Sequence, residues 1–317
     1  MALFLRVYFN AVFGGLGGLL GWMLFGVFGD KSSSSPAQQI LGGALIGGFI
    51  GYLVVGVDAI RDGSFLRFCR LATYGVVMGA IGGALGMRIG EEVNYYLVQG
   101  LVNWRAGGAL RVVGEVLSRG LGWMFLGLAV GLSEGIAARS LGKLTYGTMG
   151  GAIGGFVGGA LFGLVKALER GSESHHVWGG ALGLVILGAC IGAFSALVQG
   201  VFQPASIKVL RGWQEGREYP LLKVDNLLGR DESADIALFR DMRVEKRHAV
   251  IQHDGSRFLF LNHESPPEHT RVNGEPVPHM RPLADGDRIQ LGDIVLRFQM
   301  RAAKNREKAK ASLVRSP

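Results

Sequence analysis

Six apolar stretches, at residues 7–28, 40–60, 71–87, 120–136, 144–168 and 177–201, leave this chain few ways to fold. Each is close to the ~20 apolar residues that a helix needs to cross a bilayer core of about 30 Å. Backbone N–H and C=O groups find no water in that core, so a spanning segment must satisfy them within itself, as a helix does. The charges stand almost entirely in the gaps, and Lys31-Ser-Ser-Ser-Ser-Pro36 is a loop between the first two stretches. Buried helices of a soluble protein can be as apolar. Six in succession, with charges confined to the gaps, read instead as a polytopic, all-α transmembrane bundle.

Charge also marks where the bundle stops. Residues 1–200 hold 13 Lys/Arg and 9 Asp/Glu, whereas residues 201–317 hold 20 and 16. The boundary is therefore placed at Val201. The expected order is a transmembrane domain over 1–201, a linker over 202–218, a β-sandwich over 219–300 and a basic tail over 301–317, taken as disordered. The net charge of +8 is heaviest in that tail, where Arg301, Lys304, Arg306, Lys308, Lys310 and Arg315 face only Glu307. A solvated end is the first reading of such a tail, and contact with anionic headgroups the second. Membrane lipid is an expected partner of the chain and nucleic acid is not. Only Arg6 precedes the first stretch and no small-residue cleavage site is evident, so the first helix is expected to be retained.

Lys/Arg bias in short loops orients a polytopic protein, with the excess toward the cytoplasm. With the N-terminus inside, the cytoplasmic segments carry Arg6, Arg61, Arg67, Arg70, Arg139 and Lys143. The opposite short loops carry Lys31 and Arg170, each beside an acid. Both termini are thus expected in the cytoplasm, with the chain in a bacterial inner membrane. The segment 90–119 resists, because it would hold Arg105, Arg111 and Arg119 outside. Tyr95, Tyr96, Leu97, Leu101 and Trp104 alternate there with polar residues, which suggests helices lying on the membrane surface. If one of them spans, the count becomes seven and the soluble domain changes side.

Glycine, 52 of the 317 residues, is about twice its usual ~7% share, and its spacing is regular. Gly43, Gly47 and Gly51 repeat every four residues, as do Gly75, Gly79 and Gly83. Gly147, Gly151, Gly155, Gly159 and Gly163 form an unbroken row, with Gly150, Gly154 and Gly158 beside it. A four-residue period lines one helix face, so that backbones can approach closely and gain dispersion contacts where lipid offers no hydrophobic drive. The pattern resembles a glycine zipper. Packing within one chain is its first reading; a homo-oligomer interface or a pore is the second.

An internal repeat runs through the same half. Leu20-Gly-Trp-Met23 recurs as Leu121-Gly-Trp-Met124, Gly47-Gly-Phe-Ile-Gly51 as Gly154-Gly-Phe-Val-Gly158, and Met78-Gly-Ala80 with Gly83-Ala84 as Leu187-Gly-Ala189 with Gly192-Ala193. The offsets of 101, 107 and 109 residues suggest a duplicated three-helix unit. An odd number of spans per unit would insert the second copy upside down, as in many transporters. Ion and substrate pathways are usually marked by ionisable groups at mid-membrane. The centres of these spans carry no Asp, Lys, Arg or His, and Glu134 with Ser133 lies near one end of the fourth.

From Tyr219 onward the apolar period falls to two. Ala249-Val-Ile251, Phe258-Leu-Phe-Leu261 and Ile294-Val-Leu-Arg-Phe298 are short strand-like runs. Asp254-Gly255, Asn273-Gly274, Asp285-Gly286 and Gly292-Asp293 are turn signals between them. Many short strands with tight turns read as a β-sandwich. The order of Leu228-Gly-Arg230, Val244-Glu-Lys-Arg-His-Ala249, Thr270-Arg-Val-Asn-Gly274 and Leu283-Ala-Asp-Gly-Asp-Arg-Ile-Gln-Leu-Gly292 resembles the signature of a forkhead-associated (FHA) domain over 219–300. That resemblance implies an eleven-stranded sandwich whose apical loops bind phosphothreonine peptides in typical members. It also implies that Arg230 contacts phosphate as a charge-assisted donor. Gly229, His248 and Gly274 would be structural, and Lys246, Arg247, Thr270 and Asn273 would belong to the binding loops.

Two departures from the family pattern count against that activity. Glu245 stands where the family has a phosphate-binding serine, so a carboxylate replaces a hydroxyl donor. Glu268-His269, after Pro266-Pro267, replaces the Asn-Gly whose amide holds the bound peptide's backbone. A phosphorylation-independent protein partner is therefore expected rather than phosphothreonine. The expectation is a membrane-anchored adaptor that displays the FHA domain at the cytoplasmic face of a bacterial signalling or assembly complex. A channel or transporter regulated by the domain, or a conventional phosphothreonine reader, are the other readings. No phosphate loop, Gly-x-Ser-x-Gly or His-Glu-x-x-His is present, so neither catalysis nor a cofactor is implied. Cys69 and Cys190 give no disulfide framework, and the adjacent His175-His176 lack a third ligand, so no metal is expected.

Overall fold

A computed structural model describes residues 2–28, 35–103, 108–169, 176–232, 234–255, 257–263 and 265–301. The tail from residue 302, most of the Lys31–Pro36 loop, Trp104, Arg105 and His175 lie outside the described residues. The chain divides near Val201 into two compact units.

The first unit is six helices: α1 (Ala2–Phe28), α2 (Pro36–Asp62), α3 (Phe65–Asn103), α4 (Gly108–Ala138), α5 (Leu141–Glu169) and α6 (His176–Phe202). Each contains a segment long and apolar enough to cross a membrane, and the chain is a multi-pass membrane protein. Local chemistry sets the boundaries. Ser35 caps α2 by accepting from the Gln38 N–H, with Pro36 in the first turn where no donor is needed. Gly63, at φ 68°, ends α2 in the left-handed conformation, and Ser64 accepts from the Arg67 N–H to start α3.

The segment 90–119 departs from its expectation. Its described residues do not lie apart on the surface; they prolong α3 to Asn103 and begin α4 at Gly108. The reason is close packing. A side chain at Gly86 would stand 2.5 Å from the Gly122 carbonyl oxygen, one at Gly90 would stand 3.2 Å from the Gly122 Cα, and Ser118 donates to Asn94 at 3.0 Å. Thirty-nine residues of α3 are about 58 Å of helix, far more than the ~30 Å bilayer core. Tyr95 and Tyr96 are exposed on its outer part, where amphipathic rings suit the interface.

The glycine rows face neighbouring helices of the same chain. Gly43, Gly47 and Gly51 of α2 oppose Gly83, Gly79 and Gly75 of α3, and a methyl on any of the six would collide with the partner's carbonyl. Gly147, Gly151, Gly155, Gly159 and Gly163 of α5 face α4 at Gly131, Gly127, Trp123, Arg119 and Val116. The second row, Gly150, Gly154 and Gly158, faces Phe194, Cys190 and Leu187 of α6. α6 closes on α1 through Gly188 and Gly14. These glycine faces are covered inside one chain, which leaves none of them for a second copy.

A buried polar network ties the end of the unit where α1, α3 and α5 begin and α2, α4 and α6 finish. Arg6 lies 3.4 Å from Asp58 and donates to the Gln199 side-chain oxygen at 3.0 Å. Gln199 donates to Glu134 at 2.7 Å, and Lys143 lies 3.5 Å from the same carboxylate. Two cations, two anions and an amide that both accepts and donates thus link α1, α2, α4, α5 and α6. Arg67 and Asp62, 2.9 Å apart, join α3 to α2 nearby.

The second unit is a sandwich of two sheets. One has the order β2-β1-β11-β10-β7-β8, from Glu218–Leu221, Ala205–Arg211, Ile294–Met300, Arg288–Leu291, Thr270–Val272 and Glu275–Pro276. The other is β4-β3-β5-β6-β9, from Ile236–Ala237, Asp225–Gly229, Ala249–Asp254, Arg257–Asn262 and Met280–Leu283. Pairing is antiparallel except between β3 and β4. Ile207, Leu228, Ile251, Phe260, Ile289, Leu296 and Phe298 are wholly buried between the sheets.

The span 202–218, expected as a linker, instead contains β1, which pairs with β11 and β2 along most of its length. Ala205, Ser206, Ile207 and Val209 are buried and Lys208 is only partly so, so the strand alternates from Ile207 onward. It needs a partner 90 residues downstream to become a strand at all.

Candidate functional site: the loop face of the sandwich

The site is built where the end of β3 meets the segment before β5. Gly229 is required there, because any side chain would collide with the Lys246 carbonyl. The Arg230 N–H donates to the Glu245 carbonyl at 3.0 Å and the Asp231 N–H to that of Lys246 at 3.2 Å. This zipper fixes Arg230, half-buried, beside the exposed side chains of Glu245, Lys246 and Arg247. The Arg230 guanidinium meets Met242 sulfur at 3.6 Å and pairs with no carboxylate among the described residues; its Nε is buried without a hydrogen bond.

His248 braces the loops from below. It is fully buried; Nδ1 accepts from the Glu245 N–H at 3.0 Å, so Nε2 carries the proton and donates to Thr270 Oγ1 at 2.8 Å. The threonine hydroxyl donates onward to the Pro266 carbonyl at 3.2 Å. Burial pushes the imidazole pKa down to about 4, an effect partly opposed by the nearby Glu245 and Asp241 and reinforced by His269. Protonation would also set a second N–H against the Glu245 donor. The ring is thus a neutral brace at pH 7.

Two residues expected in the binding loops do other work. Thr270 is wholly buried and committed to His248 and Pro266. Asn273 turns the β7–β8 hairpin at φ 54° with Gly274 at φ 87°, and both ends of its amide are used internally. It donates to Asp287 at 2.8 Å and accepts from the Arg288 N–H at 2.9 Å. Thr270 is thus enclosed, whereas Asn273 remains exposed with part of its hydrogen-bonding capacity committed to the turn. What else remains for contact is Arg230, Lys246 and Arg247 on the cationic side, with Glu245 and the exposed Glu268 on the anionic side.

The sequence reading missed other braces. Asn262 donates to the Ser265 and Val277 carbonyls and accepts from the Ser265 N–H, and Ser265 donates to the His248 carbonyl. An asparagine at the end of a strand, three residues before a serine, was the available signal. Arg243 pairs with Asp293 at 2.7 Å, and the Asp293 N–H donates to Asp241, which ties a further loop to the same face.

Residues 208–302 match a family model described as the inner membrane component of T3SS, cytoplasmic domain. A solved FHA domain from a study of phosphothreonine-dependent FHA interactions is 34% identical to this chain; the match covers 31% of this chain and 96% of that domain, at a TM-score of 0.28. This part of the chain belongs to the FHA family. The FHA domain of FhaA, solved with the intracellular domain of Rv3910, is 32% identical over 30% of this chain and 99% of that one, at a TM-score of 0.27. The cytoplasmic domain of the T3SS sorting platform protein PscD from P. aeruginosa is 21% identical over 31% and 81%, at a TM-score of 0.28. A search of curated proteins returned no match.

Proposed function

We propose that the protein is a membrane-anchored scaffold whose FHA domain docks a protein partner without a phosphothreonine grip. The carrying observation is the composition of the loop face. Glu245 replaces a hydroxyl donor beside Arg230, Glu268 adds a second acid, and Thr270 is spent on internal bonds and Asn273 in part. A phosphate would meet like charge where its ligands should be. A partner with mixed or acidic side chains can instead pair with Lys246, Arg247 and Arg230. The match to a T3SS inner-membrane component supports a bacterial membrane assembly as the setting. The loop charges support a cytoplasmic domain, since Arg61, Arg67, Arg70 and Lys143 lie toward the end where α6 finishes.

Copurification from native membranes in mild detergent tests the proposal. A stoichiometric protein partner that is lost on charge reversal of Lys246 and Arg247 supports it. Failure to retain any partner counts against it.

The phosphothreonine reading has one observation in its favour, the Arg230 guanidinium without a carboxylate partner among the described residues. Specific capture of phosphothreonine peptides by the natural chain would establish it. The channel reading draws support from the matched segments, which fall on α1 and α4, α2 and α5, and α3 and α6, as a duplicated three-helix unit requires. The hollow lined by Gly86, Gly90, Asn94 and Gly122 holds about 10 Å³, room for about one water.

A further inference from the structure

The turn between β1 and β2 holds a tryptophan at the surface of the sandwich. It is an ordered turn. The Glu215 N–H donates to the Gly212 carbonyl at 3.2 Å and the Gly216 N–H to the Val209 carbonyl at 2.9 Å, with Gly212 at φ 140° and Gly216 at φ 83°. The Tyr219 hydroxyl donates to the Gln214 side-chain oxygen. Trp213, inside this frame, is nonetheless 48% exposed.

The segment after β4 meets the indole. The Phe239 ring stands edge-on to it, 6.5 Å between centroids, and the Arg240 guanidinium lies over it at 4.4 Å. Arg240 reaches that position from φ 72°, a backbone conformation that L side chains rarely adopt. Such outliers persist where the surrounding structure holds them, and they gather at binding sites. The guanidinium forms no hydrogen bond or ion pair among the described residues. The neighbouring acid, Asp241, is committed to the Arg243 and Asp293 N–H groups. Met242, two residues on, is 76% exposed. Around the turn, Arg211, Arg217 and Arg240 outnumber Glu215.

From these observations we propose that Trp213, Phe239, Arg240 and Met242 form a second docking surface, which binds a protein segment carrying a carboxylate beside an apolar side chain. A guanidinium laid on an aromatic ring keeps its N–H edge as a fork that matches a carboxylate. The indole adds rigid apolar area and the methionine an adaptable one. Half-exposed Trp and Arg are the residue types that anchor interfaces. The excess of cations selects an acidic segment, and the apolar share of the patch favours a carboxylate among apolar groups over a bare phosphate. The inference takes from the docking reading only that the partner is a protein, and it uses neither Lys246 nor Arg247.

Fluorescence polarisation with the full chain in detergent tests this, using labelled peptide pools with a fixed Glu-Phe-Glu, Gln-Phe-Gln, Glu-Ser-Glu or phosphothreonine core. The Glu-Phe-Glu pool should bind. The Gln and Ser pools should bind at least about tenfold more weakly, the worth of one charge-assisted hydrogen bond or one covered ring. Arg240→Gly suits the left-handed backbone and so spares the fold; it should cause the same loss, as should Trp213→Ala. Lys246→Ala with Arg247→Ala should leave binding within about twofold, as exposed charges usually do. Equal binding of all pools, none to the Glu-Phe-Glu pool, or full binding by Arg240→Gly overturns the inference. A phosphothreonine pool that binds best and depends on Arg240 overturns it in favour of phosphate. Loss with the Lys246 and Arg247 pair but not with Arg240→Gly sinks this surface and leaves docking at the loop face standing.

Discussion

Gln199 on α6 donates its side-chain amide to the Glu134 carboxylate on α4 at 2.7 Å, while its oxygen accepts from Arg6 on α1 at 3.0 Å. An amide is the group that can satisfy a cation on one side and an anion on the other. Both charged neighbours have only about an eighth of their side chains exposed, and the bridge joins Asp58 and Lys143 in offsetting their desolvation.

Replacing Gln199 with Leu should therefore cost about 1–3 kcal/mol, the usual penalty for leaving buried polar groups unpaired. Gln199→Glu should cost at least as much near neutral pH, because it sets a carboxylate against Glu134. Thermal denaturation of the purified protein in detergent reads both, and a melting temperature unchanged by either would show that the network contributes nothing.

Gly47 and Gly100 make a matched pair within the helices. A methyl at Gly47 would collide with the Gly79 carbonyl, whereas Gly100 has nothing within 4 Å. Gly47→Ala should destabilise the bundle by about 1–3 kcal/mol through overpacking. Gly100→Ala should be neutral or stabilise by up to about 1 kcal/mol, since alanine is the better helix former. The same melting assay separates them.

His248 should make the FHA domain acid-sensitive in a defined window. Its pKa is about 4 in the folded domain, against 6.5 for the free side chain. Between those values the unfolded chain binds a proton that the folded domain refuses. Stability from this residue is thus full above pH ~6.5, declines as pH falls toward 4 and changes no further below that, by about 3 kcal/mol in all. Amide exchange of β5 between pH 7 and 4 should show the loss. His248→Asn should flatten it while lowering stability at pH 7.

Glu245 is the point at which the loop face departs most from a phosphate site. Glu245→Ser removes one repelling charge and supplies a hydroxyl donor. It should tighten binding of a phosphothreonine peptide by about 10- to 100-fold, the worth of one charge-assisted hydrogen bond. Arg230→Ala on that background should abolish the gain. Calorimetry with one peptide and its unphosphorylated form would measure both.

The spanning helices were legible because hydropathy needs only local composition, and the glycine rows because a four-residue period fixes a face. The outer parts of α3 and α4 were not. Tyr95, Leu97 and their polar neighbours have the pattern of a surface helix, and only the Gly86, Gly90 and Gly122 contacts reveal two helices packed together. β1 was read as linker because its partner strand is 90 residues away. The polar network was equally hidden, since Arg6 and Gln199 are 193 residues apart; Glu134 alone stood out. In the FHA domain the motifs fall at the loop ends of the strands, but the hydrogen-bond partners of their side chains were not legible. Asn273 is in the expected turn and exposed, and its amide also bonds Asp287 and the Arg288 N–H.

Affinity capture of the full-length protein from native membranes, with and without prior phosphatase treatment, is the most direct test of the docking role. A stoichiometric protein partner that survives phosphatase and is lost with Lys246→Glu and Arg247→Glu is the expected result. A partner released by phosphatase, or none retained under either condition, would contradict a phosphorylation-independent scaffold.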